Sequence, residues 1–116
     1  METLFTEEDV VDHLYFEGNT ISIVPIDDKS FCSRLGKKVP YIDISFDEDE
    51  EIYSVYISYF DGNIISDKYI PLIIDKFNCI EADDYGISLI LKESELKDFC
   101  SFFDKNIWEV DFHSNW

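Results

Sequence analysis

Two stretches of strict alternation organise the middle of the chain. Residues 41–47 place Ile42, Ile44 and Phe46 on one side, and Tyr41, Asp43, Ser45 and Asp47 on the other. Residues 52–60 alternate Tyr53, Val55, Ile57 and Tyr59 with Ile52, Ser54, Tyr56, Ser58 and Phe60. A period of two over this length predicts paired, half-buried antiparallel strands. The run Asp47-Glu48-Asp49-Glu50-Glu51 between them is then a hairpin tip. A different period follows later: Leu96, Phe99, Cys100 and Phe103 stand at i, i+3, i+4 and i+7, the stripe of an amphipathic helix. Ser94 is its expected cap, with Glu95 in the first turn and Lys105 in the last, both of the sign the helix dipole favours.

The remaining elements are read from caps and turns. Thr6 precedes Glu7, Glu8 and Asp9, which suits a helix start, and Phe5 and Val10 are spaced as a hydrophobic staple. Val10, Val11 and Leu14 form its apolar stripe, stopped by Gly18-Asn19. Residues 20–26 read as a strand, Pro25 marking an edge or an end. Residues 27–38 are polar, with a short helical turn before Gly36, and Asp61-Gly62-Asn63 is a turn. From there to Tyr69 a strand and a helix start both fit, and Pro71 to Asn78 reads as a helix with proline in its first turn. Asp83 to Gly86 turns the chain into a central strand at 87–92. A final strand puts Trp108, Val110 and Phe112 inside and Glu109 and Asp111 outside. The expected architecture is a single α+β domain over 1–116, a mostly antiparallel sheet of about five strands carrying two to three helices on one face.

Composition narrows the function. The 116 residues include 46% hydrophobic and 16% aromatic side chains, which is too apolar for a disordered chain. Against 26 acidic residues stand nine Lys and Arg, a net charge of −17. Direct nucleic-acid binding and adhesion to anionic membranes both need a basic face, so neither is expected. The three cysteines, Cys32, Cys79 and Cys100, form no disulfide framework and no Cys-x-x-Cys pair. With no basic, apolar leader at residue 1, the reading is a cytoplasmic protein.

Catalytic signatures are few. No glycine-rich phosphate loop is present and no cofactor is expected. His13 and His113 lie 100 residues apart with no ligand at metal spacing, so no metal is assigned. The acidic tip is not an EF-hand loop: counted from Asp47, position 6 is Ile52 and position 12 is Ser58, where glycine and glutamate are needed. Cys32 sits near Arg34, Lys37 and Lys38, which would lower an exposed thiol's pKa; Cys100 and Cys79 read as structural. Among 26 carboxylates, a pair at glycosidase spacing arises by chance and carries no information. No catalytic residue is assigned.

The placement of charge is more telling. Residues 1–28 hold eight acids and no base, and residues 39–67 hold eight more, again with no Lys or Arg. Spread evenly, 17 charges put only about two on an interface half of ~800 Å²; gathered, they would steer a basic protein into contact. The candidate partner-binding residues are therefore Asp43, Asp47, Glu48, Asp49, Glu50, Glu51 and Asp61, with Tyr41 and Tyr56 as anchors beside them. Tyr15 and Tyr85 are weaker candidates. In size, charge and element mix the chain resembles bacterial toxin-immunity proteins of the contact-dependent inhibition and polymorphic toxin kinds. That resemblance implies a non-enzymatic inhibitor of a basic cognate toxin, a nuclease as a rule. A phage-type nucleic-acid-mimicking inhibitor of a host nuclease, or an acidic adaptor, shares the same profile.

Overall fold

The computed structural model describes residues 2–26, 41–58, 64–77, 79–83 and 86–114. Cys32, Asp61, Tyr85, the turn at 61–63 and the polar stretch at 27–38 lie outside the described residues, as do Tyr59 and Phe60. The elements run α1 (Glu7–Leu14), β1 (Thr20–Pro25), β2 (Tyr41–Asp47), β3 (Ile52–Ser58), α2 (Ile64–Lys76), β4 (Cys79–Ala82) and β5 (Gly86–Leu91). A 3₁₀ turn (Glu93–Glu95), α3 (Leu96–Cys100) and β6 (Trp108–His113) follow. All six strands join one sheet in the order β4-β5-β3-β2-β1-β6. Every pairing in it is antiparallel. The α+β class is as expected, but the sheet has six strands rather than about five. The added strand is β4, only four residues long and containing Glu81 and Ala82, too short and too poor in β-formers to show a period.

The alternation of the hairpin is realised residue by residue. Ile42 and Ile44 of β2 and Tyr53, Val55 and Ile57 of β3 are buried, and Asp43, Ser45, Ser54 and Tyr56 sit half-buried on the opposite face. Ile21 and Ile23 of β1 and Ile87, Leu89 and Leu91 of β5 extend the same apolar face. The helices close over it. Phe77 meets Phe99 edge-on at 5.7 Å, Phe99 meets Phe103 at 5.1 Å, and Phe103 meets Trp108 at 5.3 Å. These T-shaped contacts suit the ring quadrupoles and tie α2, α3 and β6 into one aromatic seam. The predicted stripe of α3 is all buried: Leu96, Phe99, Cys100 and Phe103.

Local chemistry explains the ends of α1. The Thr6 hydroxyl accepts from the Asp9 amide at 3.2 Å, and the Asp9 carboxylate accepts from the Thr6 amide at 2.9 Å, a reciprocal capping box. Phe5 and Val10, the two halves of the staple, are both buried. At the other end Gly18 adopts φ 85°, the left-handed region in which a Cβ is disfavoured, and Asn19 donates to the His13 carbonyl at 3.0 Å.

Elsewhere the structure corrects the sequence reading. Helix α2 starts at Ile64, so the ambiguous stretch is helical and Pro71 lies inside the helix, not in its first turn. Ser94 caps nothing. It falls within the 3₁₀ turn, and it is the Glu95 carboxylate that accepts from the Lys92 amide at 3.0 Å. Lys105 lies beyond α3, which ends at Cys100, and pairs instead with Glu2. Strand β1 is interior, so Pro25 marks a strand end and not an edge. Trp108 is buried as expected, but Phe112 on the same face is 42% exposed, near the end of the edge strand β6.

Two stability results follow. Replacing Thr6 with Ala removes one half of the capping box, and the urea midpoint is expected to fall by the equivalent of about 1 kcal/mol. Burial, reinforced by the Glu7 and Asp9 carboxylates, pushes the Cys100 thiol up from 9.0 to about 12. The folded state therefore holds that proton more tightly than the unfolded chain. Its stabilising contribution is complete below pH 9.0 and is lost as pH rises toward 12. Chemical denaturation along this range is expected to show a decline of about 1.4 kcal/mol per pH unit from this group, absent in Cys100→Ala.

Candidate functional site

The acidic run forms the turn it was expected to form. Strand β2 ends at Asp47, β3 begins at Ile52, and the two residues face each other across the ladder. One Asp47 oxygen accepts from the Asp49 amide at 3.1 Å and the Glu50 amide at 3.3 Å, so this carboxylate holds the turn as well as charging it. Glu48, Asp49, Glu50 and Glu51 all project into solvent. Glu51 has φ 54°, a left-handed conformation that costs an ordinary side chain roughly 1–2 kcal/mol and glycine almost nothing. The tip thus carries a carboxylate at the position where the backbone would relax with glycine.

Asp43 belongs to a different surface. Four residues back along β2, it stands roughly 13 Å from Asp47, half-buried on the sheet face opposite the isoleucines. There it accepts from the Ser22 hydroxyl at 2.5 Å. Register links it into a row crossing all six strands: Asp111, Ser22, Asp43, Tyr56, Ser88 and Glu81. Asp43 and Tyr56 are direct cross-strand partners, which brings together one expected acid and one expected anchor. Tyr41 lies opposite Ser58 in the same ladder. Its side chain, like Asp61, lies outside the described residues.

Tyr56 also has an intramolecular task. A Cβ placed on Gly86 would stand 2.8 Å from the Tyr56 hydroxyl, 2.9 Å from its Cζ and 2.4 Å from the Ile57 carbonyl. The hydroxyl end of the half-buried Tyr56 ring therefore lies over Gly86.

The aromatic side chains that do project are elsewhere. Tyr15 is 79% exposed and Phe16 53% exposed, on the turn between α1 and β1, and their rings meet edge-on at 5.5 Å. A groove of about 410 Å³ separates this turn from the acidic tip, lined by Phe16 and Glu17 on one side and Asp47, Glu48 and Asp49 on the other. A second cleft, of about 570 Å³, shares Phe16 and adds Asp9, Asp12, His13 and Phe112. The His13 ring fixes that cleft. Its Nε2 lies 3.1 Å from the Thr20 carbonyl and 2.9 Å from the His113 carbonyl, so it carries the proton and donates to both. This ties the end of α1 to β1 and β6, and the ring meets Phe112 edge-on at 5.2 Å.

Phe16 was not among the candidates from the sequence. The available signal was its phase: two residues after Leu14 it lies about 200° round the helix from the apolar stripe, pointing away from the core. As for other chemistry, no three His, Cys, Asp or Glu side chains among the described residues converge as a metal site. No helix among them is long and apolar enough to cross a membrane. Cys100, the described free thiol, is buried in the core.

Replacing Gly86 with Ala is expected to destabilise the fold by about 1–3 kcal/mol in thermal or urea melts. Combining it with Tyr56→Ala relieves only the ring contact, because the Ile57 carbonyl still blocks the Cβ; full recovery in the double variant would contradict this geometry. Comparison with protein-family models, with curated proteins and with solved structures returns no match for this chain.

Proposed function

We propose that this protein is a non-enzymatic inhibitor of the immunity type, one that binds and neutralises a basic cognate toxin, most naturally a nuclease, through its acidic surface. The observation that carries this reading is Glu51: a carboxylate held in left-handed backbone at the end of a turn whose other exposed side chains are Glu48, Asp49 and Glu50. Strain accepted at an exposed position points to a use for the side chain there. Four carboxylates on a turn pinned by Asp47 form a pre-organised rather than a floppy anionic group. Such a group accepts charge-assisted hydrogen bonds from Lys and Arg with little ordering cost. Asp43 and the row across that sheet face extend the negative field on one side, and the acids of α1 extend it on another. A protein that must bind nucleic acid presents the complementary basic surface, which is why a nuclease fits this field.

The reading is tested with the partner recovered from the source cell at low salt and eluted as salt rises. It is expected to be basic, and its activity on nucleic acid is expected to be blocked on rebinding. Changing Glu48, Asp49, Glu50 and Glu51 to Ser is expected to slow association at low salt by about tenfold or more and to flatten its salt dependence, with a smaller change in dissociation. The single change Glu51→Gly is expected to raise stability, by roughly 0.5–1 kcal/mol once the added freedom of the unfolded chain is offset, while slowing association. A tight partner indifferent to these changes and to salt refutes the reading.

A further inference from the structure

An interface of this kind needs a desolvated anchor, because a field of carboxylates steers a partner without holding it. Tyr56 is half-buried, with its hydroxyl end over Gly86. Three large aromatic side chains remain in solvent at the end of the molecule that carries the acidic tip: Tyr15, Phe16 and Phe112, at 79%, 53% and 42% exposure. They are ordered by contacts. Tyr15 and Phe16 brace each other, and Phe112 leans on His13, which is itself fixed by two backbone carbonyls. Rings held this way lose little freedom on binding, the property that makes aromatic residues effective interface anchors.

Two clefts open on Phe16, one on each side, and both fall within the range of about 300–1,000 Å³ typical of ligand sites. Their charge is one-sided. Asp9 and Asp12 border one, Glu17, Asp47, Glu48 and Asp49 border the other, and among the described residues no lysine or arginine lines either. A second copy of this chain would bring an identical anionic rim against this one, at a net charge of −17 on each molecule. The complementary occupant is cationic with apolar neighbours.

We infer that Phe16, with Tyr15 and Phe112, is the anchor of the partner interface, and that it receives a protein segment in which arginine or lysine stands next to an apolar side chain. The cation enters the groove between the aromatic turn and the acidic tip, where the ring faces and the carboxylates both attract it. The apolar neighbour enters the cleft between Phe16 and Phe112. This inference rests on the reading of the protein as a binder of a basic partner, and it names the residues that hold what the carboxylates attract.

The probes are two six-residue peptides of equal charge, one alternating arginine with leucine and the other alternating arginine with serine, titrated into the full chain labelled with ¹⁵N. The arginine–leucine peptide is expected to shift the amides of Phe16, Gly18, Asp49 and Phe112. The arginine–serine peptide is expected to shift only those of the tip and to bind at least tenfold more weakly. Phe16→Ser is expected to reduce the first peptide's affinity to that of the second. Phe16→Leu, which keeps the apolar contact and loses the ring, is expected to fall between. Both variants sit on a solvent-facing turn, and unchanged amide spectra elsewhere verify the fold. If both peptides bind equally, moving only tip amides, and Phe16→Ser changes neither, the anchor is overturned while the acidic steering stands. If neither peptide moves any amide, both fall. A concentration-dependent dimer in sedimentation that Phe16→Ser abolishes overturns the inference in favour of a second copy.

Discussion

Self-repulsion is the constraint under which this chain folds. With 26 carboxylates against nine basic side chains, every charge brought inward would add desolvation to a fold already strained by its own field. The structure answers by separation. Among the residues whose side chains are described no Asp or Glu is buried, and the buried polar residues are Asn19 and Ser58. Cohesion comes from the isoleucine-rich face of the sheet and from the aromatic seam through Phe77, Phe99, Phe103 and Trp108. Carboxylates near the backbone are used where they do local work: Asp9 in the capping box, Asp47 in the hairpin turn, Asp83 in accepting from the Gly86 amide at 3.0 Å.

How much of this was visible in the chain depends on whether a residue's neighbours lie near it in sequence. The hairpin was legible because one side of each strand is buried and the other is not, so the period of two is written into Ile42, Ile44, Val55 and Ile57. The stripe of α3 and the cap of α1 were legible for the same reason, each being settled within about a turn or two. Where packing from distant elements decides, the reading failed. Helix α2 begins seven residues before Pro71, although proline by itself favours a first turn. Phe112 alternates correctly, yet stays 42% exposed at the end of an edge strand, beside His13 of α1. Strand β4 exists only because β5 offers it an edge.

The candidate site divides along the same line. The tip's location and exposure followed from alternation alone, but not the left-handed Glu51. Tyr56 lies on the face opposite the core as expected, while its approach to Gly86 depends on a pairing between β3 and β5 that no local pattern encodes. Tyr15 and Phe16 become neighbours of the tip only when β1 aligns beside β2, with Ile21 opposite Ile44. An interface of this kind is assembled by topology from pieces that are unremarkable in isolation.

The strand order has a kinetic consequence. Strand β1 is flanked on one side by β2 and on the other by β6, and Thr20 faces His113. Until the chain beyond α3 has crossed the whole sheet, β1 is an open edge bearing isoleucines. A nascent or thermally frayed molecule would expose that edge as a template for foreign strands. The dense anionic coat then has a second use, since partly folded copies of a strongly charged polypeptide repel one another during the interval before the last strand docks.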